Sequence, residues 1–277
     1  ALSVALVFDA ISDPVAGSLS DNWRSRLGRR HPFMYASAVP LGLAFLALFS
    51  PPAGLSDWGL FAWLAVTAIL TRAAMTLYHV PHIALGAELS GDFRERTVIV
   101  AFRQAFGYFG ALLTIGLGFG LFFRATETYE KGQLNPDAYQ PFALALSVLM
   151  VLTILLSAWG TRSRIPYLPE PSDRNGEGFS VFKMIGEYTE ALRNRNFVWL
   201  FGGVIVIFVM VGVDQGLNLY MNTYFWEFSA AANAAYLMAA VVGAILGAFF
   251  TRFLHDRWDK LPGVLFGTTM WAICQVV

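Results

Sequence analysis

Apolar residues along this chain fall in blocks of roughly twenty, near 1–20, 33–50, 58–86, 97–123, 140–160, 197–225 and 229–254, with a partial block from 263 to 277. About twenty residues rising 1.5 Å each cross the roughly 30 Å of a bilayer's hydrocarbon core. The pattern therefore predicts an all-α membrane protein with about seven complete transmembrane helices and one partial helix. The connections between blocks alternate in character. Those at 21–32, 87–96, 161–196 and 252–262 hold fifteen of the 19 basic residues, whereas 51–57 and 226–228 have none and 124–139 has only Arg124 and Lys131. Cytoplasmic loops carry the excess of Lys and Arg, so the first set is expected on the cytoplasmic side, in a bacterial inner membrane.

The longest polar stretch, 161–196, runs through Pro166, Pro169 and Pro171 and a Ser172-Asp-Arg-Asn-Gly176 segment. It reads as a cytoplasmic linker between an N-terminal bundle, 1–160, and the start of a C-terminal bundle, 197–277. A similar feature stands on either side of it. Gly17-x-x-x-Asp21 and Arg24-Ser-Arg-Leu-Gly-Arg-Arg30 close the first span; Asp256-Arg257-Trp-Asp-Lys260, preceded by Gly243 and Gly247, close the seventh. Such a repeat indicates two related halves. Gly17, Asp21, Arg24, Arg29, Arg94, Arg96, Asp256 and Arg257 are read as a conformational gate on the cytoplasmic side.

Composition narrows the function further. Only 14% of the residues are charged, against about a quarter in soluble domains, and 56% are hydrophobic. Zero formal net charge and the lack of a basic run argue against a nucleic-acid partner. The lone Cys274 allows neither an internal disulfide nor a cysteine metal cluster. Residues 1–20 lack a basic leading segment and hold two aspartates, unlike a signal peptide. The chain starts within apolar sequence at Ala1 and stops within an apolar run at Val277, as expected of a piece of something longer. It shows no Gly-x-Ser-x-Gly, Walker loop, His-Glu-x-x-His or dinucleotide fingerprint, so no enzyme activity and no cofactor is expected. Work done without a nucleotide must draw on an ion or substrate gradient.

Charged groups at bilayer depth cost about 2.5–3.5 kcal/mol each and usually face a cavity or a partner. Asp9 and Asp13 lie four apart, on one face of the first helix. Ser12 stands beside them, and Pro14 removes a backbone donor. Hard oxygens in this number suit Na⁺, or the two carboxylates share a proton. The alternative is structural ion bridges, with Asp13 within reach of Arg24 or Arg26. In the third span Arg72, Thr76 and His79 form a stripe; Thr76 offers a neutral oxygen to a cation, and His79 can bond a solute hydroxyl or carry a proton. Pro81 is expected to kink this span. Arg103 lies too deep in the fourth span for easy snorkelling and is expected to meet a carboxylate or an anionic group. Asp214, Asn218 and Asn222 recur every four residues in the sixth span, lining solute or bonding a neighbouring helix.

Asp9-Ala-Ile-Ser-Asp13-Pro14 and Arg24-Ser-Arg-Leu-Gly-Arg-Arg-His-Pro32 resemble the second helix and following loop of the glycoside–pentoside–hexuronide:cation symporters, a melibiose-permease-like branch of the major facilitator superfamily. Tyr78-His-Val-Pro81…Glu88-Leu-Ser-Gly-Asp-Phe-Arg-Glu-Arg-Thr97 resembles that family's fourth helix and loop. The resemblance implies a partial major-facilitator fold comprising family helices 2 to 9. It puts Asp9, Asp13 and Thr76 at cation-site positions, with Ser12 replacing an asparagine, and Arg103 at a substrate position. His79 stands where the sugar transporters hold sugar hydroxyls with an aspartate, and Ile83 where they stack a tryptophan on the sugar. The expected function is symport of a small polar solute, a sugar or sugar acid, with Na⁺ or H⁺, by a protein monomeric at full length. Its partners are the solute and the bilayer, with Na⁺ on Asp9 and Asp13 if sodium is the ion. His79, Arg103, Asp214 and Asn218 would face the solute. The same branch includes sodium-dependent lysolipid symporters, so an amphiphile is a second reading; a non-transporting receptor or assembly factor is a third.

Overall fold

The computed structural model describes residues 2–168, 186, 189–190, 192–255, 262, 265–270 and 273. Each of the seven expected blocks is one helix: α1 Leu2–Asn22, α2 His31–Leu48, α3 Asp57–Glu88, α4 Phe93–Leu117, α5 Tyr139–Thr161, α6 Arg195–Tyr224 and α7 Ala230–His255. Among the described residues six stretches, which take in every one of these helices except α1, are long and apolar enough to cross a membrane. The expected partial span is described over 265–270, which is helical. Arg162–Tyr167 continues α5 as a 3₁₀ turn, and most of the expected linker beyond it lies outside the described residues.

The helix ends follow from local chemistry. Ser56 caps α3 by accepting from the Gly59 amide at 3.2 Å, and Asp57 places a carboxylate in the first turn, where the helix dipole favours it. Asn194 caps α6 by accepting from the amides of Asn196 and Phe197. Pro32 enters α2 in its first turn, where no backbone donor is required. Between α1 and α2 the chain reverses through Gly28, whose φ of 74° only glycine adopts without strain.

The best-packed part of the molecule is where α2 lies between α3 and α5. One apolar cluster joins Ala38, Leu41, Ala74 and Ile154; a second joins Met34, Leu85 and Ala158, with Tyr78 touching both. Small side chains let these helices approach closely, as lipid-embedded interfaces require. At Gly42 a Cβ would stand 2.7 Å from Val151 Cγ2 and 3.3 Å from the Ser147 carbonyl oxygen. The interface is closed at one end by His31, fully buried, whose Nε2 meets Thr161 Oγ1 at 3.0 Å.

A compact loop joins α4 to α5 and reaches across to α6. The last turn of α4 widens into a π-helical stretch, Gly118–Phe122. Gly132 then packs against the backbone so closely that a Cβ would fall 2.2 Å from the Phe123 carbonyl oxygen. Lys131 Nζ donates to the Thr223 carbonyl at 2.7 Å, at the end of α6 where carbonyls lack helical donors. Gln133, 4% exposed, and Thr223, 2% exposed, meet beside it.

Candidate functional site

The polar face of α1 lies against α3, and the two helices run parallel in a fixed register. Asp13 accepts from Thr76, 63 positions on, and the same offset relates Asp9 to Arg72 and Gly17 to Val80. Residues four apart on one helix thus meet residues four apart on the other. Where carboxylates occur on α1, hydrogen-bond donors occur on α3. Where α1 has Gly17, a branched side chain fits, with Val80 Cγ1 3.6 Å from the position a Cβ would take.

Two of these contacts build a candidate ion site. Thr76 Oγ1, on a residue 6% exposed, donates to Asp13 Oδ1 at 2.7 Å. Its lone pairs stay available to a cation, because a hydroxyl donates once and accepts twice. Arg72 Nη1 stands 3.1 Å from Asp9 Oδ2. Asp9 Oδ1 is buried and has no hydrogen-bond partner. Of the structural ion bridges weighed from sequence, one therefore forms, but through Arg72 and on Asp9. Ser12 donates back to the Asp9 backbone carbonyl at 3.4 Å, so its proton is committed to its own helix.

Nine residues beyond Asp13, α1 ends beside a second polar cluster. Glu88 Oε1, at the last residue of α3, accepts from Arg29 and from Arg30, each at 2.8 Å. Arg30, 5% exposed, also donates to Ser20 Oγ at 2.8 Å and pairs with Asp21. Of the expected gate residues, Asp21 and Arg29 are thus gathered here and Gly17 lies one turn before them against Val80, while Arg96 donates instead to the Ser90 carbonyl at 2.7 Å. Arg24 is exposed. The side chain of Arg94, and Asp256 and Arg257 altogether, lie outside the described residues. Arg30 and Glu88 are the members that sequence reasoning did not single out. The signal was present: two arginines run straight on from Gly28, and a glutamate ends an apolar span.

The residues expected to face a solute are not joined into one set. His79 and Arg103 are exposed, and both lie within electrostatic reach of His82, whose ring stacks on Tyr78 at 5.0 Å. On α6, Asn218 donates to Tyr236 of α7 at 3.0 Å and accepts from the buried Asn222 at 3.2 Å. Asp214 is half-exposed one turn earlier. Among the described residues no hydrogen bond or ion pair connects His79 or Arg103 with Asp214 or Asn218. Pro81 is fully buried in α3.

A family model described as MFS/sugar transport protein matches residues 1–277. The inner membrane symporter YicJ of Escherichia coli is 26% identical over 80% of this chain and 45% of its own length. A lactose permease of Leuconostoc lactis is 23% identical over 76% of the chain and 33% of its length. The sodium-dependent lysophosphatidylcholine symporter 1-A of Danio rerio is 30% identical over 40% of the chain and 21% of its length. The matched stretch spans less than half of each of these relatives.

Proposed function

The chain belongs to the MFS/sugar transport protein family, and from that premise we propose that the full-length protein is a cation-coupled symporter of a small polar organic solute, a sugar or sugar acid. Its ion, Na⁺ or H⁺, sits at Asp13, Thr76 and the free Oδ1 of Asp9. His79, Arg103, Asp214 and Asn218 face the solute, and the two halves alternate in opening to either side of the membrane. Binding of the ion raises solute affinity, and by linkage the solute raises ion affinity by the same factor.

The observation that carries this reading is the contact at 2.7 Å between the buried Thr76 and the solvent-exposed Asp13, which joins two parallel helices one turn from an unpartnered oxygen of Asp9. A carboxylate oxygen buried without a donor is costly. A small cation would satisfy it. The basic cluster at Arg29, Arg30 and Glu88 lies at the cytoplasmic end of α1 and α3, following the distribution of Lys and Arg; the protein acts as a monomer in a bacterial inner membrane. The stretches 1–160 and 197–277 belong to its N- and C-terminal bundles.

A second reading, symport of an amphiphile, draws on one observation. Ile83, 41% exposed, offers an apolar side chain near His79, and a relative of this chain is named a lysophosphatidylcholine symporter. One experiment decides between them. Full-length protein in vesicles is given sugars, sugar acids and lysophospholipids in turn, with and without an inward Na⁺ or proton gradient. Gradient-driven uptake of a sugar class, lost in Asp13→Asn, supports the first reading. Gradient-driven uptake of lysophospholipid alone supports the second. Solute binding indifferent to both cations refutes coupling altogether.

A further inference from the structure

At the end of the molecule away from the Arg29–Arg30–Glu88 cluster, a loop of the first half touches the second. Phe49, just past α2, stacks there on Tyr139 at the start of α5, and the loop 124–139 reaches over to the end of α6. The loop is fixed firmly on its own half. At Gly132 a Cβ would fall 2.2 Å from the Phe123 carbonyl oxygen and 2.4 Å from that of Arg124. The Phe123 ring lies 4.9 Å from those of Tyr139 and Phe142, and the Tyr139 hydroxyl donates to the Gln133 carbonyl at 2.7 Å. Toward the other half the loop extends two side-chain tips. Lys131 Nζ donates to the Thr223 carbonyl at 2.7 Å, and Gln133 Nε2 reaches Thr223 Oγ1 at a long 3.5 Å. The buried residues of α6 are Asn222 and Thr223, so this helix is covered where the loop meets it.

We propose that the 124–139 loop is a clasp, rigid on the first half, whose tip releases Thr223 whenever the solute path opens on this side of the membrane. The proposal rests on the reading above, in which the two halves open alternately, and adds to it the part that closes this end. The chemistry of the tip suits a contact that is made and broken. Carbonyls in the last turn of a helix lack helical donors and stand at the negative end of its dipole, so they attract an ammonium. Lys131 is only half-buried, and its flexible stem lets the ammonium swing to water when the halves part. Gln133 Oε1 is buried without a hydrogen-bond partner, a cost of the closed state that hydration removes on release. Closed and open states are thereby kept near in energy, as a gate that cycles requires.

The test reads opening without reference to any solute. Full-length protein whose single cysteine is a reporter, Asn218→Cys, is placed in right-side-out and in inside-out vesicles and treated with a membrane-impermeant thiol reagent. Position 218 stands one helical turn inward of Asn222. In right-side-out vesicles Lys131→Met is expected to raise the labelling rate about tenfold, the effect of one hydrogen bond to a charged group. In inside-out vesicles the same variant is expected to label more slowly than wild type. Thr223→Val, which removes the acceptor of the longer contact, should shift both rates in the same directions but less, and Lys131→Arg should stay near wild type. Opposite changes on the two sides are the signature of a shift between states; a loop that only covered the helix would raise the outer rate and leave the inner one as it was. An unchanged outer rate in Lys131→Met, or an outer rate that rises without a fall in the inner one, overturns the proposal. Uptake indifferent to both Na⁺ and proton gradients overturns the coupling instead, and leaves the labelling rates to decide the clasp.

Discussion

Replacing Glu88 by Gln removes one negative charge and leaves two guanidinium groups facing a neutral amide. The side chains of Arg29 and Glu88 are 12% and 15% exposed, and that of Arg30 only 6%, so solvent screens little of the loss. Breaking a buried ion pair by removing one partner costs about 3–5 kcal/mol. Here Arg30 keeps Asp21 and Ser20, and the stranded charge is chiefly Arg29. The expected cost is therefore at the lower end, about 3 kcal/mol. Each kcal/mol moves the thermal midpoint by roughly 2–4 °C in a domain of 150–250 residues and by less in a longer chain, so a fall of up to roughly 6–12 °C follows. Intrinsic tryptophan fluorescence of the detergent-solubilised full-length protein during heating measures it. Arg29→Gln added to Glu88→Gln should return part of the loss, because the stranded charge is gone and the two changes share one interaction. A midpoint for Glu88→Gln within about 2 °C of wild type would refute the energetic account of this cluster.

Two further outcomes follow from close contacts. Gly42→Leu forces side-chain atoms where Val151 Cγ2 already stands 2.7 Å from a would-be Cβ, and should cost about 1–3 kcal/mol, read as a lower thermal midpoint; Gly107→Ala, with nothing within 4 Å, should not lower it. Lys131→Met removes the donor to the Thr223 carbonyl. In a background with Cys274 replaced by Ala, a reporter Thr223→Cys should then react faster with a thiol reagent than it does beside Lys131. An unchanged rate would show that this contact does not hold the loop on α6.

Much of the helical plan could be read from the sequence, because the bilayer imposes a length on every apolar block. Blocks expected at 33–50, 58–86 and 197–225 are helices at His31–Leu48, Asp57–Glu88 and Arg195–Tyr224. The errors at their ends have local causes: Ser56 and Asn194 begin helices slightly before the apolar run begins, because capping is a property of polar side chains. The pairing of Asp13 with Thr76 is different. Nothing in spacing alone relates residues 63 apart on separate helices, and only the family resemblance set both at one ion site. Arg72 was visible as a charge inside a span, yet its partner depends on the rotation of α3 about its axis, which a single sequence does not specify. Ser12 was read as a ligand from its place between two aspartates, but a helical serine readily returns its proton to a carbonyl one turn back. On α6 the polar stripe was legible, while its outcome at Asn218 and Asn222 depended on Tyr236 of the next helix.

The shared offset between α1 and α3 has a mechanical consequence. The pair behaves as two racks with teeth four residues apart. If α1 slipped one tooth along α3, about 5–6 Å, Asp13 would leave a hydroxyl to stand against Val80, and Gly17 would leave the methyl group that fits it. Slippage in that direction is thus disfavoured at each of these contacts. The shared register favours movement of the two helices as a single strut, with the candidate ion site partway along it and the Arg29–Arg30–Glu88 cluster at one end. A tilt prompted by an ion at Asp13 would then be delivered, undiminished by slippage, to the salt bridges at the far end.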